Sequence, residues 1–160
     1  MKLLVLSDSH GRSGRLSDII GMHRDAAYIV FLGDGERDLD VALAENGIDP
    51  YDTHGRTTVL QVCGNCDVFS QEPVTITEEI EDHRIMITHG FRENVKYGLS
   101  ILASDAAARN CDIALFGHTH RQHLSESGGV TLFNPGSVRS GEYGIVIFED
   151  GESRFQFGEL

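Results

Sequence analysis

The chain has 160 residues, 40% of them hydrophobic, and its 25 acidic residues against 13 Lys and Arg leave a formal net charge of −12. This length allows one domain with a buried core that needs no disulfide, and the near-average 24% of charged residues disfavours a disordered chain. The acidic balance argues against a protein that coats nucleic acid or adheres to an anionic membrane, because both surfaces are negatively charged.

Apolar segments rich in β-branched residues, separated by turn residues, predict nine strands. In chain order the predicted strands cover residues 2–7, 28–32, 57–62, 74–80, 84–88, 112–116, 130–133, 144–148 and 154–157. The helical spacing of apolar residues predicts three helices between them. The predicted helices cover residues 13–25, 37–45 and 97–109. The first half therefore has the order βαβαβ, and the second half has mostly strands with one helix.

Turn signals in the second half predict hairpins between neighbouring strands. They lie at Glu81-Asp82-His83, Gly128-Gly129 and Asp150-Gly151, so we expect antiparallel strands to dominate there. Nine strands exceed the needs of one small open sheet, which favours an α/β protein with two packed sheets and helices outside them. With no repeat, no low-complexity tract and only 3 prolines, residues 1–160 are expected to form a single domain.

The sequence also predicts a cytoplasmic protein without a membrane segment. The apolar run at residues 3–6 is shorter than the roughly 7–15 residues of a signal-peptide core. No stretch approaches the roughly 18 apolar residues that a membrane span needs. Three cysteines are an odd number without disulfide spacing, which is typical of reduced thiols in the cytoplasm.

Five predicted strands each end in Asp, Asn or His beside a glycine. The segments are Asp8-Ser9-His10-Gly11, Gly33-Asp34-Gly35, Gly64-Asn65-Cys66-Asp67, His89-Gly90 and Gly117-His118-Thr119-His120. Ligands of open α/β sheets bind beyond the carboxyl ends of the strands, so we expect these segments to converge on one crevice. Glycine suits such places because it has no Cβ and allows tight turns and close backbone approach.

Seven side chains in these segments form a candidate set of metal ligands: Asp8, His10, Asp34, Asn65, His89, His118 and His120. Seven nitrogen and oxygen ligands are too many for one tetrahedral zinc ion but suit two adjacent divalent cations. The mixture of imidazole and carboxylate favours Mn²⁺, Fe, Zn²⁺ or Ni²⁺ over Ca²⁺, which prefers oxygen ligands alone. Any one of these residues could instead brace a turn or fill the core, but their coincidence at five strand ends favours the metal site.

In this order the motifs D-x-H, G-D, G-N-x-D, H-G and G-H-x-H resemble the signature of the calcineurin-like metallophosphoesterase superfamily. The compact length and the segment Asn134-Pro135-Gly136-Ser137 are similar to its small bacterial and archaeal phosphodiesterase subgroup, which is related in fold to the retromer scaffold subunit. The resemblance implies a four-layer αββα sandwich of two mixed β-sheets flanked by helices. That architecture agrees with the two packed sheets predicted from the strand count.

The resemblance also implies a role for each candidate ligand. One metal ion would be held by Asp8, His10 and His120. The other would be held by Asn65, His89 and His118. Asp34 would bridge the two ions, and the implied catalytic residues are Asp34, Asn65 and His118. The implied enzyme is a phosphodiesterase in which a metal-bridging hydroxide attacks a small phosphodiester in line. Mn²⁺ is the expected metal, with Fe, Zn²⁺, Ni²⁺ or Mg²⁺ as alternatives, and the subgroup suggests a dimer or tetramer.

The chain departs from the family at Cys66, where the superfamily often has a histidine that assists the leaving group. A thiol cannot replace an imidazolium as a proton donor, so esters with poor leaving groups are expected to react most slowly. Without a histidine partner, Asp67 is expected only to brace its loop. Substrate contacts are predicted at Asn65, Cys66 and Arg12, and residues 91–97 form a further candidate loop.

Other functions stay open at the level of the sequence. The chain could be a phosphomonoesterase, or a non-catalytic scaffold on the same fold, although a scaffold would not need all seven ligands. Cys63-Gly64-Asn65-Cys66 has the C-x-x-C form of a redox dithiol, but Pro73 leaves no room for a helix that would stabilise a thiolate. Two divalent cations would outweigh the negative charges of Asp8 and Asp34 and make the site locally positive. The acidic surface would therefore repel a long polynucleotide, but it would not prevent a small phosphoester from binding at the metals.

Overall fold

The computed structural model describes residues 1–160 as ten strands and three α-helices. The strands are β1 (Lys2–Leu6), β2 (Tyr28–Phe31), β3 (Thr58–Gln61), β4 (Thr75–Ile80), β5 (His83–Thr88), β6 (Ile113–Leu115), β7 (Gln122–Ser127), β8 (Val130–Pro135), β9 (Glu142–Glu149) and β10 (Glu152–Glu159). The helices are α1 (Ser13–Met22), α2 (Glu36–Glu45) and α3 (Ser100–Ala108). Short 3₁₀ helices lie at Val95–Tyr97 and Val138–Ser140.

Two mixed five-stranded sheets pack face to face, with strand orders β10-β9-β1-β2-β3 and β4-β5-β6-β8-β7. One hydrophobic cluster lies between the sheets and includes Leu3, Ile87 and Phe133. A second cluster joins α1 and α2 to the first sheet, and a third joins α3 to the second sheet. These layers confirm the four-layer αββα sandwich. No helix of the fold is both long and apolar enough to span a membrane.

The first strand shows how the sequence builds these layers. All of Leu3, Leu4, Val5 and Leu6 are buried, because β1 is covered on both faces. Side chains alternate along a strand, so Leu3 and Val5 enter the cluster between the sheets while Leu4 and Leu6 face the helices. A continuous apolar run in β1 therefore contributes to two separate layers of the core.

Each sheet contains three adjacent parallel strands. β1, β2 and β3 pair in parallel, as do β5, β6 and β8. The three expected hairpins are present: β4–β5, β7–β8 and β9–β10 pair antiparallel, and β9 also pairs antiparallel with β1. Antiparallel pairing therefore dominates the second half, to which the second sheet adds the parallel pairs β5–β6 and β6–β8. Between β5 and β6 the chain returns through α3, and such a crossover makes the two strands parallel. The loops after all six strands lie at the carboxyl edges of the sheets.

The nine predicted strands are present within one or two residues, and the sequence pattern missed only β7. This edge strand is polar on both faces, and its one large apolar side chain, Leu124, is 46% exposed. Its pairing with β8 depends on main-chain hydrogen bonds, which leave no hydrophobic pattern. The third helix begins at Ser100 rather than residue 97, because Gly98 has a φ of 138° that a helix cannot contain.

We expect Phe133→Ala to destabilise the fold by about 3–5 kcal/mol, because it leaves a large cavity between the sheets. Phe133 is fully buried, and its ring centroid lies 5.2 Å from that of Phe155 and 5.3 Å from that of Phe157. Urea unfolding measures the loss. Ile101→Ala, at a helix position that is 51% exposed, is the control and should cost less than about 1 kcal/mol. Equal losses in the two variants would contradict this placement of the core.

Candidate metal centre

The seven candidate ligands come together where the carboxyl edges of the two sheets meet. The first sheet supplies four of them, after β1, β2 and β3: Asp8, His10, Asp34 and Asn65. The second sheet supplies the other three, after β5 and β6: His89, His118 and His120. Residues more than 100 positions apart in the chain therefore face one another across a single site, which we call the centre.

Within the centre the ligand atoms form two groups. Asp8, His10 and His120 place their ligand atoms within 4.8 Å of one another, and so do Asp34, His89 and His118. Asn65 contacts the second group, and Asp34 links the second group to the first. Asn65 Oδ1 lies 3.0 Å from His89 Nε2. Asp34 Oδ2 lies 3.3 Å from His89 Nε2 and 3.6 Å from His10 Nε2, between the two groups.

One oxygen of Asp8 has no partner although its side chain is fully buried. Asp8 Oδ2 accepts hydrogen bonds from Ser7 Oγ at 2.5 Å and from the His118 N–H at 3.0 Å. Asp8 Oδ1 makes no hydrogen bond and lies 3.1 Å from His120 Nε2 and 3.5 Å from His10 Nε2. Since an unpaired buried carboxylate oxygen is costly, this atom fits a cation held with the two histidines.

The tautomer of His89 also suits a metal ligand. Its Nδ1 can only donate to the Leu32 carbonyl oxygen, 2.7 Å away, so the lone pair of the neutral ring lies on Nε2. That nitrogen faces Asn65 Oδ1 and His118 Nδ1, the latter at 3.1 Å. A main-chain carbonyl that fixes the free nitrogen is a common support for a metal-bound histidine.

The charges in the centre shift the pKa values of its carboxylates and imidazoles. Burial raises the pKa of Asp34, but His89 and the Cys66 N–H outweigh burial and lower it to about 2. Burial likewise raises the pKa of Asp8, and contacts with His120 and His89 lower it below its usual value. Both carboxylates are therefore ionised at neutral pH, as metal ligands must be.

The two histidines of the second group shift in opposite directions. Burial lowers the pKa of His89, but Asp34 and Asp8 outweigh burial and raise it. Burial and the neighbouring charge on His89 lower the pKa of His118 to about 4, so this ring is neutral at pH 7. A cation bound at this group would compete with a proton for Nε2 of His89.

Backbone strain is concentrated in the ligand loops. Five of the seven candidate ligands have positive φ values: Asp8 (55°), His10 (42°), Asp34 (60°), His118 (70°) and His120 (58°). Such conformations are uncommon outside glycine and cluster at functional sites. The neighbouring glycines are required by close packing, because a Cβ on Gly64 would overlap Asp34 Oδ1.

Asp67 holds the loops after β2 and β3 together, as the sequence predicted. Its Oδ2 accepts hydrogen bonds from the N–H groups of Asp34 at 2.7 Å and Gly64 at 2.8 Å. Its Oδ1 accepts from Gly35 at 2.9 Å and Glu36 at 3.1 Å, at the amino end of α2. The carboxylate thus pairs with N–H groups that the helix leaves free, and it fixes the main chain of Asp34.

Three polar residues support the centre in roles that the sequence did not predict: Ser7, Asn134 and Ser137. Ser7 Oγ donates to Asp8 Oδ2, and Ser137 Oγ donates to the Asp8 carbonyl oxygen at 2.7 Å. Asn134 Nδ2 donates to the Gly117 carbonyl oxygen at 3.0 Å and so fixes the start of the histidine loop. Asn134 and Ser137 belong to the segment that carried the family resemblance, which was the available signal for them.

The remaining predicted contacts lie at the rim of the centre. Cys66 is exposed, and its Sγ lies within 4.8 Å of ligand atoms of His10 and Asp34. Arg12 is exposed immediately before α1, and its side chain makes no hydrogen bond or ion pair. Burial raises the pKa values of the Cys63 and Cys66 thiols, and no helix follows them. Neither thiol therefore has the thiolate character of a redox centre.

A family model for the calcineurin-like phosphoesterase superfamily domain matches residues 1–149. The chain belongs to this superfamily. Its members use divalent metals, and the centre of this member offers two groups of His and Asp ligands that fit such cations. Superfamily membership and the names of relatives support a hydrolase of the phosphoesterase class.

Individual relatives agree with this membership. Phosphodiesterase YfcE of Escherichia coli (strain K12) is 31% identical over 157 residues, covering 86% of this chain and 79% of YfcE. A predicted phosphoesterase from Streptococcus pneumoniae TIGR4 has the same fold, with a TM-score of 0.78 at 23% identity over 99% of this chain and 88% of that one. Vps29 from Entamoeba histolytica, complexed with Zn²⁺, shares the fold with a TM-score of 0.72 at 18% identity over 99% of both chains.

We expect Asp67→Asn to lower both stability and metal affinity, because an amide nitrogen cannot accept the N–H groups that one carboxylate oxygen now accepts. The free energy of unfolding should fall by about 2–3 kcal/mol, measured with urea. Affinity for Mn²⁺ should fall by about 10–100-fold, measured by titration calorimetry on chelator-treated protein.

Asp18→Asn is the matched control, since Asp18 in α1 is exposed and its side chain makes no hydrogen bond. It should change stability by less than about 0.5 kcal/mol. Unchanged Mn²⁺ affinity in Asp67→Asn would show that Asp67 does not position the ligands.

Proposed function

We propose that this protein is a phosphodiesterase that uses two divalent cations to hydrolyse a small phosphodiester. The observation that carries the proposal is the position of Asp34, whose Oδ2 lies between two separate groups of ligand atoms. One carboxylate shared by two ligand groups is the arrangement that a dinuclear site needs. Asp8, His10 and His120 would hold one cation. Asn65, His89 and His118 would hold the other.

When bound, the cations supply a water that ionises near neutral pH and neutralise charge that develops on the phosphoryl oxygens. The residues of the chain orient the substrate. Asn65 points its Oδ1 at His89, so Nδ2 of Asn65 lies beside Cys66 on the exposed side. There Nδ2 can donate a hydrogen bond to a phosphoryl oxygen of the substrate. His118 faces the centre with Nδ1 and is neutral at pH 7, so its proton resides on Nε2.

The complete ligand set favours an enzyme over a scaffold with the same fold. A scaffold would gain nothing from keeping a buried, unpartnered carboxylate oxygen or five strained ligand backbones, both of which cost stability. We further propose that the metal is Mn²⁺, that residues 1–160 form one domain, and that the protein is a cytoplasmic dimer or tetramer. The three free cysteines suit a reducing compartment.

Replacement of Asp34 by Asn should abolish activity, because an amide removes the charge between the two ligand groups. We expect Mn²⁺-dependent hydrolysis of bis(p-nitrophenyl) phosphate to fall about 100-fold or more. The assay compares chelator-treated protein with and without added Mn²⁺. Asp18→Asn, at an exposed position of α1, should keep wild-type activity.

Full activity in Asp34→Asn would refute the assignment of the bridging carboxylate. A wild-type protein without Mn²⁺-dependent hydrolysis above the blank would instead favour the scaffold. Faster hydrolysis of p-nitrophenyl phosphate than of the diester would favour a phosphomonoesterase.

The substitution Cys66→His should increase turnover of alkyl phosphate esters more than turnover of nitrophenyl diesters, because alkoxides need a proton donor more than nitrophenolate does. We expect a gain of about tenfold for alkyl esters, which is smaller than the usual contribution of general acid catalysis. The gain is small because Asp67 already accepts main-chain N–H groups and cannot also orient the new histidine. Steady-state kinetics on both substrate classes measure the difference, with Cys66→Ala as the control. Equal gains on both classes would contradict a leaving-group role for this position.

A further inference from the structure

Two cavities of opposite charge lie at the centre. The acidic cavity, about 730 Å³, is lined by His10 and Asp34 of the centre itself and by the carboxylates of Glu36, Asp38 and Asp40 at the start of α2. The basic cavity, about 570 Å³, is formed by loops of the second sheet and includes Lys96, Arg121 and His123. No Asp or Glu lines the basic cavity, although the chain has 25 acidic residues.

The cations of the basic cavity have no partners within the protein. Neither Lys96 nor Arg121 forms an ion pair or a side-chain hydrogen bond, whereas Lys2, Arg84 and Arg154 each pair with a carboxylate. In a chain of net charge −12, two neighbouring cations without a carboxylate form a local positive region. Such a region attracts an anion, and the attraction is stronger in a concave site than on a flat surface.

The basic cavity adjoins the centre through the histidine loop. Thr119, which lines it, lies between the ligands His118 and His120 in the chain. Thr119 Oγ1 accepts a hydrogen bond from Asn134 Nδ2 at 3.0 Å and another from the Arg121 N–H at 3.3 Å, so the wall is held in place. Phe116 is buried and lies edge-on to the ring of His123, which closes the cavity on its apolar side.

We propose that the basic cavity binds a phosphate group of the substrate other than the one that is hydrolysed. The inference rests on the proposed function and narrows it: the substrate is a small phosphodiester that carries a second phosphate. Lys96 and Arg121 hold that phosphate, and the carboxylates of Glu36, Asp38 and Asp40 disfavour the reverse placement, in which the second phosphate would lie in the acidic cavity. The protein therefore binds its substrate in one orientation.

Two chromogenic substrates that differ only in this group test the proposal. Thymidine 5′-(p-nitrophenyl phosphate) and its 3′-phosphorylated form share the reacting diester and the leaving group. We expect kcat/KM to be about tenfold or more higher for the phosphorylated form, mainly through a lower KM. Lys96→Ala and Arg121→Ala should each reduce this preference about fivefold. Equal kcat/KM for the two substrates in wild-type protein would overturn the proposal.

Arg56→Ala is the matched control, because it removes one exposed cation with no ion pair at the opposite end of β3 from the centre. The preference for the phosphorylated substrate should persist in this variant. A loss of preference as large as that of Lys96→Ala would show that general charge, rather than the cavity, discriminates the substrates, and would overturn the proposal.

Binding of inorganic phosphate to chelator-treated protein separates this proposal from the proposed function. Without cations, the charges of Asp8 and Asp34 repel phosphate from the centre, while the basic cavity keeps its affinity. We expect phosphate to shift the amide NMR signals of Lys96, Thr119 and Gln122 in wild-type protein but not in the Lys96→Ala/Arg121→Ala double variant. Shifts that persist in the double variant, or that arise only elsewhere, would overturn the proposal. If these shifts are present but neither substrate is hydrolysed, the proposed phosphodiesterase activity is overturned and the phosphate site is not.

Discussion

Two ionised carboxylates, Asp8 and Asp34, are buried where the carboxyl edges of the two sheets meet, and the surrounding structure depends on their compensation. Buried charges cost several kcal/mol unless hydrogen bonds and opposite charges surround them. The N–H groups of His118 and Cys66 each satisfy one oxygen, and histidines surround the other. The free Oδ1 of Asp8 leaves this compensation incomplete without a cation. The same atoms that hold the loops together are therefore the candidate ligands of the proposed metal site.

The strained loops persist because rigid strands hold both of their ends. Each left-handed ligand residue costs about 1–3 kcal/mol, which an isolated loop would lose by relaxing. Here β1 is buried on both faces, and Asp67 ties the main chain of Asp34 to that of Gly64. The candidate ligands at such positions are therefore held in place by the fold. The proposed catalysis by bound cations would require such preorganisation.

The net charge of −12 is unevenly distributed around the centre. Glu36, Asp38 and Asp40 lie at the start of α2 beside the first sheet, and Lys96 and Arg121 lie beside the second sheet. A long polynucleotide would place phosphates against the acidic residues and be repelled. The short ester that we propose would place its second phosphate beside Lys96 and Arg121, which attract it. Under this proposal the acidity of the protein restricts the size and orientation of the substrate but does not exclude an anionic one.

The sequence by itself determined the layers and the chemistry of the centre. The apolar runs that form strands, and the Asp, Asn and His residues at strand ends, are local patterns of neighbouring residues. The polar edge strand β7 was not predicted, because its pairing depends on main-chain hydrogen bonds, which leave no hydrophobic pattern in the sequence. Only the tertiary structure decided that Asp34 lies between two ligand groups, that Asp8 Oδ1 is unpartnered, and that the two cavities differ in charge. Each of these properties is a distance between residues of different loops or sheets, and such distances are set by packing rather than by spacing along the chain.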